Sequence, residues 1–600
     1  DEEKYQQESV YLIDQWCNMY ERKIEELGGI GFFLGGIGPD GHIAFNVRGS
    51  DHNSTTRLTH TNFETQAAAA VDLGGIEISR NRLVITIGLG TITYNKNATA
   101  IIIAAGEAKA PIVQKSIESE QNIMYPASSL QKLANSRFYI TEGAAKNLKD
   151  IKNSYWMESS WDIRKKQKAL LKLSKDKQTF GKKLTVDDFK KEKLFKNCQN
   201  LNKNTISEII DSIDKKVQRG IKSEKNQIYY HTGPHHDDIM LGMMPHIIHL
   251  VREPTNKHIF TNMTSGFTSV TNSFLIEIIK KTIDFIQRDR VRMINYPDFF
   301  SNGYKLKRDK DVYHYLDRIA DNDVNGQQRG LCHRVVRSYV EIFNVKSTKQ
   351  LTDRLRLTID ELEKCYEGEK NSVSVQKLKG MIREFEEELV WANYGVRVRD
   401  VHHLRLGFYK GDMFTEQPQK ARDVEPILDQ LKKIKPTVIS LALDPEGSGP
   451  DTHYKVLQSI AEAVRIWGET TDLSELRIWG YRNVWYRFDM DEADLIVPVT
   501  LNSMAIMHST FMNCYLSQKE ASFPSYDYDG PFSKLSQKIW VEQHRDLQLV
   551  LGRDYWYRNP NPHLRAVHGA VYLKEMNVES FLNISRRLEE STEDSIIFKN

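Results

Sequence analysis

Residues 231–240 read HTGPHHDDIM, with two histidines and two aspartates side by side at 235–238. Imidazoles and carboxylates crowded just after an apolar run suit a metal centre. A catalytic zinc takes three nitrogen or oxygen ligands and keeps one position open. His235 and Asp238 supply two donors of the right type. Asp237 points elsewhere and is available as a base toward an attacking water. The third ligand must come from afar. The segment LALDPEGSGPDTHYK (441–455) offers His453 at the start of a helix, with Asp451 as its N-cap. A solvated surface turn would use the same residue types, and the pattern alone leaves both readings open.

A second constellation lies at LGGIGPDGHIAFN (34–46). Gly36, Gly38 and Gly41 permit backbone conformations that bring N–H groups close to an anion or a sugar ring. Asp40 and His42 stand beside them, after a strand, where sites of α/β proteins gather. A tight turn carrying a surface histidine fits these letters equally well.

The elements around these residues predict an α/β chain. Ile30–Leu34, Leu83–Ile87 (LVITI) and Ala100–Ala104 (AIIIA) are short apolar runs of the kind buried on both faces of a parallel sheet. QIYYH, HIFTN, TVISLALD, RIWGYRNVWYRF and DLIVPV read as later strands. IMLGMMPHIIHLV reads as a helix kinked or restarted at Pro245. The expectation is two Rossmann-like three-layer domains with mainly parallel sheets, at 1–150 and 226–600. A Lys-rich helical connector at 151–225 joins them, and a charged helical insertion spans about 308–395.

The chain has 600 residues, too many for one core, and a formal charge of +3, which gives no argument for a nucleic-acid partner. Five scattered cysteines form no C-x-x-C pair, which fits a reducing, cytoplasmic setting. No run of about 18 apolar residues calls for a membrane. The first residue is not Met, and the opening helix, ending at Gly28-Gly29, reads as mid-domain. The numbered chain is therefore expected to be part of a longer product.

The segment from GGIGPDGHIAFN through TIGLGTI (86–92), GEAKA with Lys109, PASSLQ and RFYITEGAA resembles glucosamine-6-phosphate deaminase. That family converts glucosamine 6-phosphate to fructose 6-phosphate and ammonia without metal. The resemblance implies that His42 opens the sugar ring, Asp40 orients it and Lys109 helps hold the phosphate. Three departures stand out. Val47 replaces a Glu that follows the Asn. Val71 falls where a phosphate-binding Arg is expected. The family's first strand, phosphate loop and base for the C1–C2 proton transfer should all precede residue 1.

HTGPHHDDIMLG, MTSG (263–266) and GPDTH resemble the P-H-P-D-D-E, second-strand and H-P-D-H motifs of the LmbE/PIG-L zinc deacetylases. The resemblance implies Zn2+ on His235, Asp238 and His453, with Asp237 as general base. His236 stands in place of a Pro, Ile239 of a Glu and Gly449 of an oxyanion-binding His, and Thr452 adds a residue before His453. His402 and His403 are candidates by type only. Trp479, Tyr481, Trp485 and Tyr486 could stack on a sugar, though strand aromatics are more often core.

Together the resemblances imply a cytoplasmic amino-sugar hydrolase. A zinc N-deacetylase for an N-acetylglucosamine-type substrate, 6-phosphorylated or not, would be coupled to a deaminase-like domain. Its partners are a small amino sugar or sugar phosphate, with no nucleic acid and no membrane, and a homo-oligomer is compatible with the sequence. Two rivals remain: a deaminase with a structural second domain, and a non-catalytic sugar-phosphate sensor.

Overall fold

The computed structural model describes residues 2–38, 40–61, 83–411, 416–445, 451–484, 486–519 and 530–592. The chain divides into two compact units. Residues 1–158 form the body of the first, and 159–444, 449–521 and 531–600 that of the second.

In the first unit, helix α1 (Glu2–Glu26) precedes a three-stranded parallel sheet of order β1 (Phe32–Gly36), β4 (Thr99–Ala104), β5 (Asn135–Ile140). α1 ends because Gly28 and Gly29 both adopt φ +87°, turning their N–H groups back onto the Glu25 and Ile24 carbonyls. Its buried Glu21 accepts from the Thr56 backbone N–H and the Thr91 hydroxyl, both at 2.7 Å. One sheet face is core: Ala100, Ile102 and Ala104 pack with Ile112 and Val113 of α2 (Ala110–Glu118). The other face leaves Phe32, Leu34, Ile103 and Tyr139 exposed.

The apolar run at 83–87 departs from expectation. β3 (Leu83–Thr86) pairs antiparallel with β2 (Arg57–His60) in a separate two-stranded sheet, with Leu83 and Ile85 exposed. Composition alone could not say which partner a short apolar run would find. Val71 lies outside the described residues.

The stretch read as a connector belongs to the second unit beyond residue 158. Its lysines mask an apolar stripe. Leu170 and Leu173 of α3 (Ile163–Lys177) are buried, as are Ile209, Ile213 and Val217 of α4 (Thr205–Ile221), which lies on β11 (Leu495–Thr500).

The second unit holds a seven-stranded sheet of order β11-β12-β10-β9-β6-β7-β8. β6 (Ile228–Gly233), β7 (Lys257–Asn262), β8 (Val401–His403), β9 (Val438–Ala442) and β10 (Arg477–Tyr481) are parallel. β12 (Val567–Met576) runs antiparallel to both neighbours. β9 is buried along its whole length, as a two-face-covered strand should be. β8 and β12 are absent from the sequence expectations. The helix after β6, α5 (Asp238–Leu250), runs through Pro245 without a restart. The insertion forms α6 (Arg308–Ala320), α7 (Val324–Phe343), α8 (Thr348–Glu363) and α9 (Val373–Asn393). α9 is no solvated rod: Arg383, Glu384, Glu386, Glu387 and Glu388 are all buried. Both units are thus mixed α/β with mostly parallel pairing. Among the described residues no helix is long and apolar enough to cross a membrane, and all five cysteines are free.

Candidate functional site

In the first unit, the loop after β1 places Asp40 and His42 at the C-terminal edge of the sheet. His42 Nδ1 lies 2.5 Å from Asp40 Oδ1, and the other Asp40 oxygen accepts from the Arg48 N–H at 3.1 Å. Asp40 is fully buried, so its carboxylate fixes the imidazole rather than wandering in water. Gly38 is obligatory: a Cβ there would fall 1.7 Å from the His42 ring. Gly41 needs its φ of +87°, whereas Gly36 ends β1 with room for a side chain. Lys109, after β4, reaches the same loop and donates to the Ile37 carbonyl at 2.7 Å. Burial lowers its pKa, opposed by the nearby Asp40 charge. Val47 follows the buried Asn46, whose side chain holds Ile43, Ile87 and Arg57 instead of facing a carboxylate neighbour.

In the second unit the chain leaves β6 at Gly233 and enters α5 at Asp238, with 234–237 as the turn. β9 lies beside β6, and the segment after β9 leads into α10 (Asp451–Gly468). From β6 the sheet grows one way through β7 and β8, and the other way through β9 and β10. The β6–β9 boundary is thus where strand order reverses and a crevice opens. His235, Asp238 and His453 meet there. His235 Nδ1 is 3.2 Å from His453 Nε2 and 3.5 Å from Asp238 Oδ2, and His453 Nε2 is 3.3 Å from Asp238 Oδ2. Ligands at about 2.0–2.1 Å around a tetrahedral zinc stand about 3.4 Å apart. The three separations fit that spacing, and two imidazoles with one carboxylate are a zinc-type donor set.

Residues the sequence reading missed hold these donors in place. His453 Nδ1 contacts Asp444 Oδ2 at 2.7 Å, a carboxylate–imidazole pair that would aim Nε2 at a metal. Asn483, after β10, donates to Asp238 Oδ1 at 2.6 Å, and the His235 N–H donates to Asp238 Oδ2 at 2.7 Å. Burial alone would raise the Asp238 carboxyl, but His453 and His235 hold it well below the usual carboxylate range. Burial alone would lower His453, but Asp238 and Asp444 hold it well above the usual imidazole range. Asp444 was visible as the acid ending a strand. Asn483 carried no signal of its own.

Asp237 is not among the three clustered donors. Gln518 donates to its Oδ2 at 3.1 Å, and Arg383 of α9 lies 3.6 Å from its Oδ1. The insertion therefore supplies a residue beside the candidate base. His236, left without a role by the sequence, is fully buried, its ring 6.2 Å from that of His403. His402 bonds the Arg399 carbonyl at 3.1 Å, a structural contact. Trp479 and Tyr481 are buried core residues, Trp479 donating to Glu575 and Tyr481 to the Thr232 carbonyl. Gly449 and Trp485 lie outside the described residues.

No protein-family model matches the chain. A glucosamine-6-phosphate deaminase-like protein of Bacteroides thetaiotaomicron is 25% identical over 530 residues, which are 86% of this chain and 72% of that protein. A glucosamine-6-phosphate isomerase of Candida albicans is 38% identical over 138 residues, 23% of this chain and 55% of its own. Glucosamine-6-phosphate deaminase 2 of Homo sapiens is 38% identical over 133 residues, 22% of this chain and 48% of its own. The chain thus spans about half the length of the two shorter relatives. A solved monomeric glucosamine-6-phosphate deaminase is 30% identical over 22% of this chain and 54% of its own, with a TM-score of 0.21. These relatives correct one expectation: they are named deaminases and an isomerase, so they do not support hydrolase as the class of this chain. Its N-terminal region is glucosamine-6-phosphate deaminase-like.

Proposed function

We propose that this chain works in amino-sugar metabolism. Its first unit is a glucosamine-6-phosphate deaminase-like sugar-phosphate site, and its second a zinc-dependent N-deacetylation centre for an N-acetylglucosamine-type substrate. The observation that carries the second half is the meeting of His235, Asp238 and His453 at 3.2–3.5 Å, with Asp444 behind His453. The likeness of the N-terminal region to deaminases supports the first half.

In the second unit, His235, Asp238 and His453 would hold zinc, which supplies Lewis-acid polarisation of the acyl carbonyl. Asp237 takes a proton from the attacking water as the new C–O bond forms. It returns that proton to the nitrogen as the C–N bond breaks, so the products are acetate and the free amine. Gln518 and Arg383 fix the Asp237 carboxylate, and the Asp444 contact sets the orientation of His453. In the first unit, Asp40 presents His42 for proton exchange at a sugar ring oxygen, and Lys109 offers its ammonium to a phosphate.

A second reading is favoured for the first unit by Val47, which removes a carboxylate next to the imidazole site: it binds the sugar phosphate without turning it over. The whole chain incubated with N-acetylglucosamine 6-phosphate and zinc, with acetate and ammonia assayed separately, tests both readings. Acetate release supports the deacetylation centre, and protein without acetate release or bound metal removes it. Glucosamine 6-phosphate that binds without ammonia release selects the binding-only first unit.

A further inference from the structure

Behind Asp237 the second unit buries hydrogen-bonding atoms that have no protein partner. His236 is fully buried, and neither ring nitrogen is hydrogen-bonded. Asn262, at the end of β7, is 1% exposed with both its amide oxygen and nitrogen unsatisfied. Arg383 is likewise 1% exposed, with Nε and Nη1 unsatisfied while Nη2 faces Asp237. Native interiors rarely leave such atoms unmatched, because each loses its water without gaining a bond. Several in one place point to something that occupies the space between them.

Gly266 lies against two of them. It adopts φ +55° in the turn after β7, and a Cβ there would stand 3.3 Å from His236 Nδ1 and 3.7 Å from Arg383 Nε. Asn262 adjoins the group through β8. It pairs in register with His403, whose ring stacks on that of His236. At the rim, Gln518 gives its Nε2 to Asp237 and keeps Oε1 unsatisfied.

The set is rich in donors. Arg383 has only donors to offer, the Asn262 amide nitrogen carries two, and an imidazole contributes at least one. Its match is small, negatively charged and acceptor-rich. We infer that the cradle formed by Gly266, His236, Arg383 and Asn262 binds a short carboxylate of acetate size. Its place in the reaction rests on the proposed deacetylation, whose acid product would be released beside Asp237. The binding site itself rests on the unsatisfied atoms. His236 gains a role on this reading, as a ligand-binding residue.

The test is a titration of 13C-labelled acetate into the whole chain, followed by NMR with and without a chelator. Saturable binding to one site that survives the chelator is expected. His236→Leu and Asn262→Leu should each weaken it about ten-fold or more, the loss typical of removing a hydrogen bond to a charged ligand. Gly266→Ala should fill the cradle with the same result. Because φ +55° strains alanine, circular dichroism checks its fold, and Asn262→Leu decides if that variant unfolds. The inference is overturned if acetate does not bind, if all binding vanishes with the chelator, or if His236→Leu and Asn262→Leu leave affinity unchanged. Acetate release from N-acetylglucosamine 6-phosphate is measured in parallel. Binding without release keeps the cradle and removes the reaction, and release without cradle binding does the reverse.

Discussion

His42 and Asp40 are two residues apart and meet through a turn, whereas His235 and His453 are 218 residues apart and meet through a sheet. Both sites use the C-terminal edge of parallel strands, where loops are free to carry polar side chains. They differ in how the groups are held. In the first unit the His42–Asp40 pair is local and partly self-satisfied, while Lys109 comes from beyond β4 to rest on a backbone carbonyl of the loop itself. In the second, two of the three donors are gripped from outside, Asp238 by Asn483 and His453 by Asp444. A local turn can form with the catalytic role weakened. A long-range cluster of buried charge persists only while every partner is present.

The strongest way to break this contrast is Asp238→Ala. Zinc measured by plasma mass spectrometry after dialysis should fall from about one ion per chain to near none, and acetate release should cease. Zinc retained at wild-type level would remove Asp238 from the ligand set. Asp237→Asn should keep the metal and slow acetate release by about 10²–10⁴, the usual contribution of a positioned base. An unchanged rate would assign the proton to another group.

Acid should separate the units by stability. His231 and His246 are buried in the second unit, and burial pushes both imidazoles down, His246 to about 3. Their folded pKa values lie below the unfolded value near 6.5, so the unfolded chain binds more protons as pH falls through that value. Stability is therefore complete above about pH 7 and is lost toward pH 5, by about 2 kcal/mol for each histidine. Urea midpoints at the two pH values check the sign; a second unit equally stable at pH 5 would contradict it.

Asp444→Asn offers a subtler probe. Removing the carboxylate behind His453 should weaken zinc binding about 10–100-fold without unfolding the chain, read by competition with a chelator of known affinity. In the first unit, Lys109→Met should weaken glucosamine 6-phosphate about ten-fold by calorimetry. An unchanged affinity would mean that the ammonium stays on the Ile37 carbonyl and never reaches the phosphate.

Much of this arrangement was legible in the letters because the relevant residues announce chemistry locally. HTGPHHDDIM ends a strand and opens a helix, His453 stands in the first turn of another helix, and the strands β6 and β9 are apolar enough to be read directly. The parts that escaped depend on neighbours. Asn483 matters only because β10 lies beside β9, and Arg383 only because α9 is buried against the turn after β7. β12 was missed, and a strand running against its neighbours needs no crossover helix to betray it. LVITI was read as buried although its composition could not say that its partner would be β2. The lysines at 151–225 outweighed the leucines beneath them, which is the usual failing of composition when a helix is amphipathic.

The open face of the first unit's sheet has a practical consequence. Phe32, Leu34, Ile103 and Tyr139 stand together on strands paired in register, so water meets an oily plate rather than scattered side chains. Such a plate wets poorly. It will take up fluorescent hydrophobic dyes in the native state and cling to chromatography resins. A charged residue at Leu34 would turn it into a surface that handles like the rest of the molecule.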